Sequence, residues 1–473
     1  MPGAELFDLS VPRRIHVVGA GGMGMSAIAT VLAAMGHRVS GSDIKSSAGL
    51  ERLRSLGLEM AVGHDARNLG DAEVVTLSTA VPGTNPEVVA ARAAGIPVLR
   101  RAEMLAAVTA RKRAVGVAGT HGKTTTSSML ALVLVDAGLR PSFLIGGQVN
   151  DVGSGAVWDA GEWLVVEADE SDGTFLELPV EAVVVTSVEP DHLSQYGGSF
   201  DALVAAFGRY LGQAPGPRIV SADDAVAASL AAVTGAVTYG TADEADYRMT
   251  GLAGGRSSVA FTVEHDGVAL GRVALPVPGL HNARNACAAL VTGLLLGAPF
   301  PAAVSALARY GGVARRFQFR GERDGVTFVD DYAHLPGEVR AVLAATRDGG
   351  WMRVVAVFQP HRYSRTVEVA AGFAGAFDDA DLVVLTDVYG AGEAPRPGVT
   401  GTLVLDAVLD ADPSTRATYL PGRQELAPYL RRILRPGDLC ITLGAGDITL
   451  LADELLRADA PSFSGGGGFG PPV

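Results

Sequence analysis

Short apolar runs recur along the chain, each closed by glycine or polar residues, with amphipathic helix-length stretches between them. Arg14-Ile15-His16-Val17-Val18 runs into a glycine cluster. Met25 to Met35 follows with helical spacing and stops at Gly36. Further strands are predicted at 38–40, 74–78 and 97–99. Strands alternating with helices predict βαβ units and a parallel sheet.

After a polar, basic connection at 109–113 the pattern restarts. It predicts a strand at 114–118, a glycine turn, a helix at 125–137, and strands at 163–166 and 182–186. Alternating Val and Thr between 238 and 276 predict a β-rich stretch, and 281–296 a helix. A third α/β segment starts near Gly312, with strands at 326–329, 353–358, 382–385 and 439–442. The expected fold class is α/β with three domains. These are an N-terminal Rossmann-like domain (1–108), a central P-loop-type ATPase sheet (109–313) and a C-terminal Rossmann-like domain (314–460). A Gly/Pro-rich tail, 461–473, is expected to be disordered.

Composition narrows the function classes. The formal net charge of −13 and the absence of any Lys/Arg run argue against a nucleic-acid partner. Cys287 and Cys440 are too few for a disulfide framework, which fits a reducing cytoplasm. The start of the chain lacks a basic region followed by an apolar core, so no signal peptide is expected. The most apolar stretch, Ala286 to Ala308, is broken by Gly293, Gly297, Pro299 and Pro301. A membrane span needs about 20 apolar residues in a row, so no membrane association is expected. The only lysines are Lys45, Lys112 and Lys123.

Lys123 lies in Gly119-Thr120-His121-Gly122-Lys123-Thr124-Thr125, between a strand and a helix. Such a turn aims backbone N–H groups and the positive helix end at phosphates. Lys123 would neutralise phosphate charge and the Thr124 hydroxyl would meet Mg²⁺. The loop is shorter than the common Gly-x4-Gly-Lys-Ser/Thr pattern, since position 117 is Val. A second glycine motif, Gly19-Ala20-Gly21-Gly22-Met23-Gly24, precedes Asp43 at the end of the next strand. It suits a diphosphate on helix amides and by itself admits an NAD(P)-dependent oxidoreductase.

Four carboxylates in six residues, Glu167, Asp169, Glu170 and Asp172, end another strand and suit Mg²⁺ beside phosphate. Glu189-Pro190-Asp191-His192 ends the next; spacing alone favours a surface histidine there over a metal ligand. Asn282 and Asn285 could read an adenine edge, although spacing alone favours helix capping. In the third segment Arg315-Arg316, Asp330-Asp331-Tyr332-Ala333-His334 and Phe358-Gln359-Pro360-His361-Arg362-Tyr363-Ser364-Arg365 bring Arg, His and Tyr to strand ends. Guanidinium groups bind carboxylates and phosphates bidentately.

In this order these motifs resemble the Mur ligases, ATP-dependent amino-acid ligases of peptidoglycan synthesis. The resemblance implies joining of L-alanine to UDP-N-acetylmuramate through an acyl phosphate, with ATP and Mg²⁺. It implies Mg²⁺ ligands at Thr124, Glu167 and His192, and catalytic roles for Lys123, Glu167, His192, His334, Arg362 and Arg365. ATP would meet residues 119–125, Asn282, Asn285 and Arg316. The UDP-sugar would meet Gly21, Gly22, Met23, Gly24 and Asp43, and the amino acid Tyr332, His334, Arg362 and Arg365. A monomer or homodimer is expected. A recycling ligase that joins a whole peptide to the same sugar nucleotide is the nearest alternative. Two positions depart from the family pattern: Ser187, where relatives usually have Asn, and Leu335, where they usually have a second His. With no lysine after Lys123, the carbamylated lysine of some later-acting relatives has no counterpart.

Overall fold

The computed structural model describes residues 6–347 and 349–457, so the tail expected at 461–473 lies outside the described residues. The chain forms two compact units. The first contains residues up to Leu252, Phe261–Ala274 and Arg284–Gly311. The second contains Ala253–Ala260, Leu275–Ala283 and the chain from Gly312 onward.

The first unit opens with a five-stranded parallel sheet in the order Glu59–Val62, Arg38–Asp43, Arg14–Val18, Val74–Leu77, Val98–Arg100. The order reverses beside the first strand, and ligands bind at such a switch point. The strand predicted at 38–40 runs on to Asp43. Its Ser-Gly-Ser tail has no apolar signature, yet it is paired on both sides and Ser42 is fully buried.

The ten-stranded sheet follows. Its middle is the parallel set Ala182–Val185, Arg113–Ala118 and Trp163–Glu167, apolar strands rich in Val and buried on both faces except at the ends Arg113 and Glu167. A hairpin, Ser142–Val149 with Ser154–Val157, adds an edge that the sequence pattern does not reveal. Glycines at 146, 147, 153 and 155 hide it, because they dilute the alternation that marks a strand. Helix Met23–Ala34 packs on this hairpin. One core therefore runs from Ile15, Met25 and Leu32 to Leu144, Ala156 and Val166. That shared core is why the first two segments form one unit.

The second unit carries a six-stranded sheet in the order Gln318–Arg323, Val326–Asp331, Asp438–Leu443, Arg353–Phe358, Leu382–Leu385, Ala417–Tyr419. Its first pair is antiparallel and the rest parallel. The four central strands are those the apolar pattern predicts. The edge strand Gln318–Arg323 is mostly polar and half-exposed, which removes its hydrophobic signal. Among the described residues no helix is long and apolar enough to cross a membrane.

Candidate functional site

In the first unit the phosphate-type loop links strand Arg113–Ala118 to helix Lys123–Asp136. Gly119 has φ +131° and Gly122, the residue before the helix, φ +80°. A Cβ at Gly119 would stand 2.2 Å from Thr186 Oγ1 and 2.9 Å from the Ser187 backbone nitrogen. The helix start has no side-chain cap, and neither does that of Met23–Ala34 after the first glycine motif. By contrast Ser47, Asn85, Ser199 and Asp224 each cap the helix that follows them. Uncapped N–H groups at two glycine loops are free to meet an anion.

The loop is clamped from the next strand end. Thr120 N donates to Ser187 O at 3.0 Å and His121 N to Ser187 Oγ at 3.0 Å. Glu189 N donates to Thr120 Oγ1 at 2.9 Å. Ser187 thus has a defined job despite its shorter reach than Asn: its hydroxyl oxygen accepts from a loop amide.

Lys123 Nζ donates to Gly119 O at 2.6 Å and pairs with Glu170 at 2.9 Å. Burial opposes the lysine charge, but the carboxylates of Glu170, Asp169 and Glu167 outweigh it and raise the Lys123 pKa. Burial likewise opposes ionisation of Asp169, but the Lys123 charge and the Ser171 hydrogen bonds win and lower its pKa. Thr124 Oγ1 donates to Glu167 Oε1 at 2.9 Å, and Glu167 Oε2 accepts from Gly146 N at 2.7 Å. Thr125 is buried in the first turn of the helix.

The structure brings Lys123, Thr124, Glu167, Asp169 and Glu170 together. Among the described residues it assembles no group of three His, Cys, Asp or Glu side chains that could hold a metal. His192 sits at the neighbouring strand end with φ +52°, its ring 3.3 Å from Asp191. Hydroxyl and carboxylate oxygens at Thr124 and Glu167 are the donor types Mg²⁺ prefers, and phosphate oxygens would complete the set. Spacing in the sequence did not indicate which acid would pair with Lys123; the structure selects Glu170.

In the N-terminal loop Gly21 N donates to Asp43 Oδ2 at 2.8 Å, and Ser47 Oγ to Gly21 O at 3.2 Å. Asp43 therefore holds the loop itself. Met23 is 67% exposed at the mouth of this loop. Asn285 Oδ1 accepts from Thr126 Oγ1 at 3.3 Å and lies where a Cβ of Gly122 would point. Asn282, in the second unit, donates to Pro278 O at 2.7 Å across its own helix start.

In the second unit the expected residues gather at strand ends. Tyr332 lies under two guanidinium groups, Arg315 at 4.9 Å and Arg316 at 5.3 Å from its ring centre. Its ring meets His334 edge-on at 5.4 Å, and His334 meets His361 edge-on at 5.7 Å. His334 Nδ1 lies 3.0 Å from Tyr332 O, and Arg316 lies 3.8 Å from Glu338. Burial lowers the His334 pKa. Burial, His334, Arg365 and Arg362 push His361 down to about 3. Asp331 is pushed up to about 6 by burial, although Arg316 and the amides of Phe317 and Ala333 pull the other way. Arg362 is exposed with φ +68°, and its N–H donates to Tyr389 O at 2.8 Å. Leu335 is buried, consistent with an apolar side chain.

A three-segment α/β chain with a lysine-bearing glycine loop and uncapped glycine turns at strand ends has the architecture of a protein that holds nucleotide phosphates. The comparisons give the class. A model for the Mur ligase family catalytic domain matches residues 14–113, the Mur ligase middle domain 117–293, and the Mur ligase glutamate ligase domain 315–446. The chain belongs to the Mur ligase family.

Within it, the chain is 44% identical over 452 residues to the UDP-N-acetylmuramate–L-alanine ligase of Rhizobium meliloti, covering 93% of this chain and 96% of that protein. It is 46% identical to the ligase of the same name from Solidesulfovibrio magneticus, covering 94% and 98%. The solved UDP-N-acetylmuramate–alanine ligase of Thermotoga maritima superposes with a TM-score of 0.80 at 30% identity, covering 94% and 98%. A murein peptide ligase from Psychrobacter arcticus reaches a TM-score of 0.67 at 22% identity, covering 94% and 98%, and shows the fold alone. The oxidoreductase alternative falls with the family assignment.

Proposed function

We propose that this chain joins L-alanine to the lactyl carboxylate of UDP-N-acetylmuramate at the expense of ATP, in the cytoplasm. The carrying observation is the clamped loop at Gly119–Thr124 with Lys123 held charged beside Glu170 and Thr124 bonded to Glu167. Agreement with alanine-adding relatives along nearly the whole chain supports the substrates. The recycling ligase is disfavoured, because solved ligases of that kind are 22% and 28% identical to this chain, against 44% and 46% for the alanine-adding relatives.

A carboxylate is a poor acyl donor at neutral pH. Transfer of the terminal phosphoryl group of ATP gives an acyl phosphate, and the alanine amine then displaces phosphate. Lys123 and the free amides of the helix start stabilise charge on the transferring group. Thr124 and Glu167, with His192 as a further ligand, would hold Mg²⁺, which would neutralise phosphate charge. Asp43 shapes the loop that takes the UDP diphosphate, with Gly21, Gly22, Met23 and Gly24 around it. Asn282, Asn285 and Arg316 serve ATP. Arg362 and Arg365, with Tyr332 and His334, hold the alanine carboxylate. The domain limits proposed are 1–108, 109–313 and 314–460, in a monomer or homodimer.

The test is phosphate release by the purified chain with ATP, Mg²⁺ and UDP-N-acetylmuramate, comparing L-alanine with a muropeptide-type tripeptide. Alanine-dependent release supports the proposal; tripeptide-only release, or none, overturns it. Lys123→Ala is expected to lower kcat about 100-fold or more. Retention of full alanine-dependent turnover by that variant would remove the loop from the mechanism.

A further inference from the structure

A cavity of about 200 Å³ lies in the first unit between the N-terminal glycine turn and the end of strand Trp163–Glu167. Met23, Gly24, Arg101, Ile145, Glu167 and Asp169 line it. Arg101 is the first residue of helix Arg101–Thr109 and follows strand Val98–Arg100 at the carboxyl edge of the parallel sheet. It is half-buried, and its guanidinium makes no hydrogen bond or ion pair with any described residue. The adjacent Arg100 is exposed and pairs with Glu103 and Glu177. A cation in the first turn of a helix also opposes the helix dipole. A half-buried guanidinium in that place, with no directly bonded carboxylate, points to an anion from outside the chain.

The carboxylates of the cavity act on Arg101 through charge alone and leave its N–H donors unbonded. Glu167 spends both oxygens on Thr124 and Gly146. Asp169 accepts from Ser171 N at 3.0 Å, and its charge senses Arg101 without a direct bond. A Cβ on Gly24 would lie 3.1 Å from Arg101 Nη1, so the guanidinium rests over the uncapped first turn of helix Met23–Ala34. Arginine and helix start thus face the same space. The cavity holds one carboxylate or phosphate group, not a whole nucleotide. Through Glu167 and Thr124 it adjoins the phosphate loop.

We propose that Arg101 binds an anionic oxygen of the nucleotide-sugar substrate, at the junction between the N-terminal glycine turn and the phosphate loop. The assignment rests on the ligase reading above. Two anions of that substrate have the right chemistry, its diphosphate and its lactyl carboxylate.

The experiment measures KM for all three substrates with Arg101→Ala, Arg101→Gln and Arg101→Lys in the full chain. Calorimetric binding of UDP-N-acetylmuramate and UDP-N-acetylglucosamine accompanies it. The glutamine variant keeps length without charge, so a folding failure of the alanine variant does not decide the matter. Loss of the charge is expected to raise KM for the sugar nucleotide about 10- to 100-fold, with less than about 3-fold change for ATP and alanine. Lysine restores part of the loss. Equal weakening of both UDP-sugars identifies the diphosphate. Weakening of UDP-N-acetylmuramate alone identifies the carboxylate, which the other sugar lacks. Unchanged sugar-nucleotide KM and Kd in folded variants overturn the proposal. So does an equal loss for all three substrates with a lowered Tm, which marks a structural role. A wild-type chain that binds no UDP-N-acetylmuramate overturns the ligase reading itself.

Discussion

Gly119→Ala is the sharpest probe of the phosphate loop. The native φ of +131° is a region that only glycine adopts without strain. The added Cβ would stand 2.2 Å from Thr186 Oγ1, 2.9 Å from Ser187 N and 3.0 Å from Ser187 O. Thr186 could rotate, but it bonds to the carbonyls of Ala118 and His121, and the Ser187 contacts are backbone. The loop must therefore leave its clamp, losing the Thr120 and His121 bonds to Ser187. Backbone strain costs about 1–3 kcal/mol and forced overpacking about 1–3 kcal/mol. If about 3 kcal/mol of this must be met again when ATP orders the loop, ATP affinity falls about 100-fold. The assay is KM for ATP and alanine-dependent phosphate release, with thermal unfolding alongside. Gly138→Ala, past the other end of the same helix, is the control: its φ is +75° but a Cβ there meets nothing within 4 Å. That variant is expected to lose a little stability and keep its KM for ATP. If Gly119→Ala kept a wild-type KM for ATP, the loop geometry would not govern ATP binding.

Other expectations follow from single contacts. Ser187→Ala removes the acceptor of the His121 amide, worth about 0.5–1.5 kcal/mol, so KM for ATP rises about 2- to 12-fold; no change would mean that the amide turns to water at no cost. His361, ordinarily near 6.5, is neutral in the fold because its pKa lies at about 3. Its contribution to stability is complete above about pH 6.5 and is lost as the pH falls towards 3. His361→Gln is therefore expected to flatten the fall in Tm between pH 7 and pH 4.5 by the equivalent of about 1 kcal/mol, discounted for its partial exposure. Parallel Tm–pH curves for variant and wild type would refute this.

Much of the molecule is legible in the chain alone, for a physical reason. Strands Arg353–Phe358, Leu382–Leu385 and Ala182–Val185 are parallel and buried on both faces, so they read as unbroken apolar runs. The glycine loops are legible because conformation and ligand approach both exclude a Cβ at particular positions. What escaped had no local signal. Strand Ser142–Val149 is diluted by glycine and strand Gln318–Arg323 is polar at an edge, so both are defined only by partners distant in sequence.

The sequence by itself determined the three α/β segments, the two glycine turns and the residue types a phosphoryl-transfer site requires, because these follow from period, spacing and chemistry. Tertiary structure alone decided the partners. It chose Glu170 for Lys123, gave Ser187 the His121 amide, turned Asp43 onto Gly21 and left Arg101 without a direct ion pair among the described residues. Those choices depend on which strand ends lie side by side, and strand order is set by packing across the whole sheet rather than by any stretch of chain.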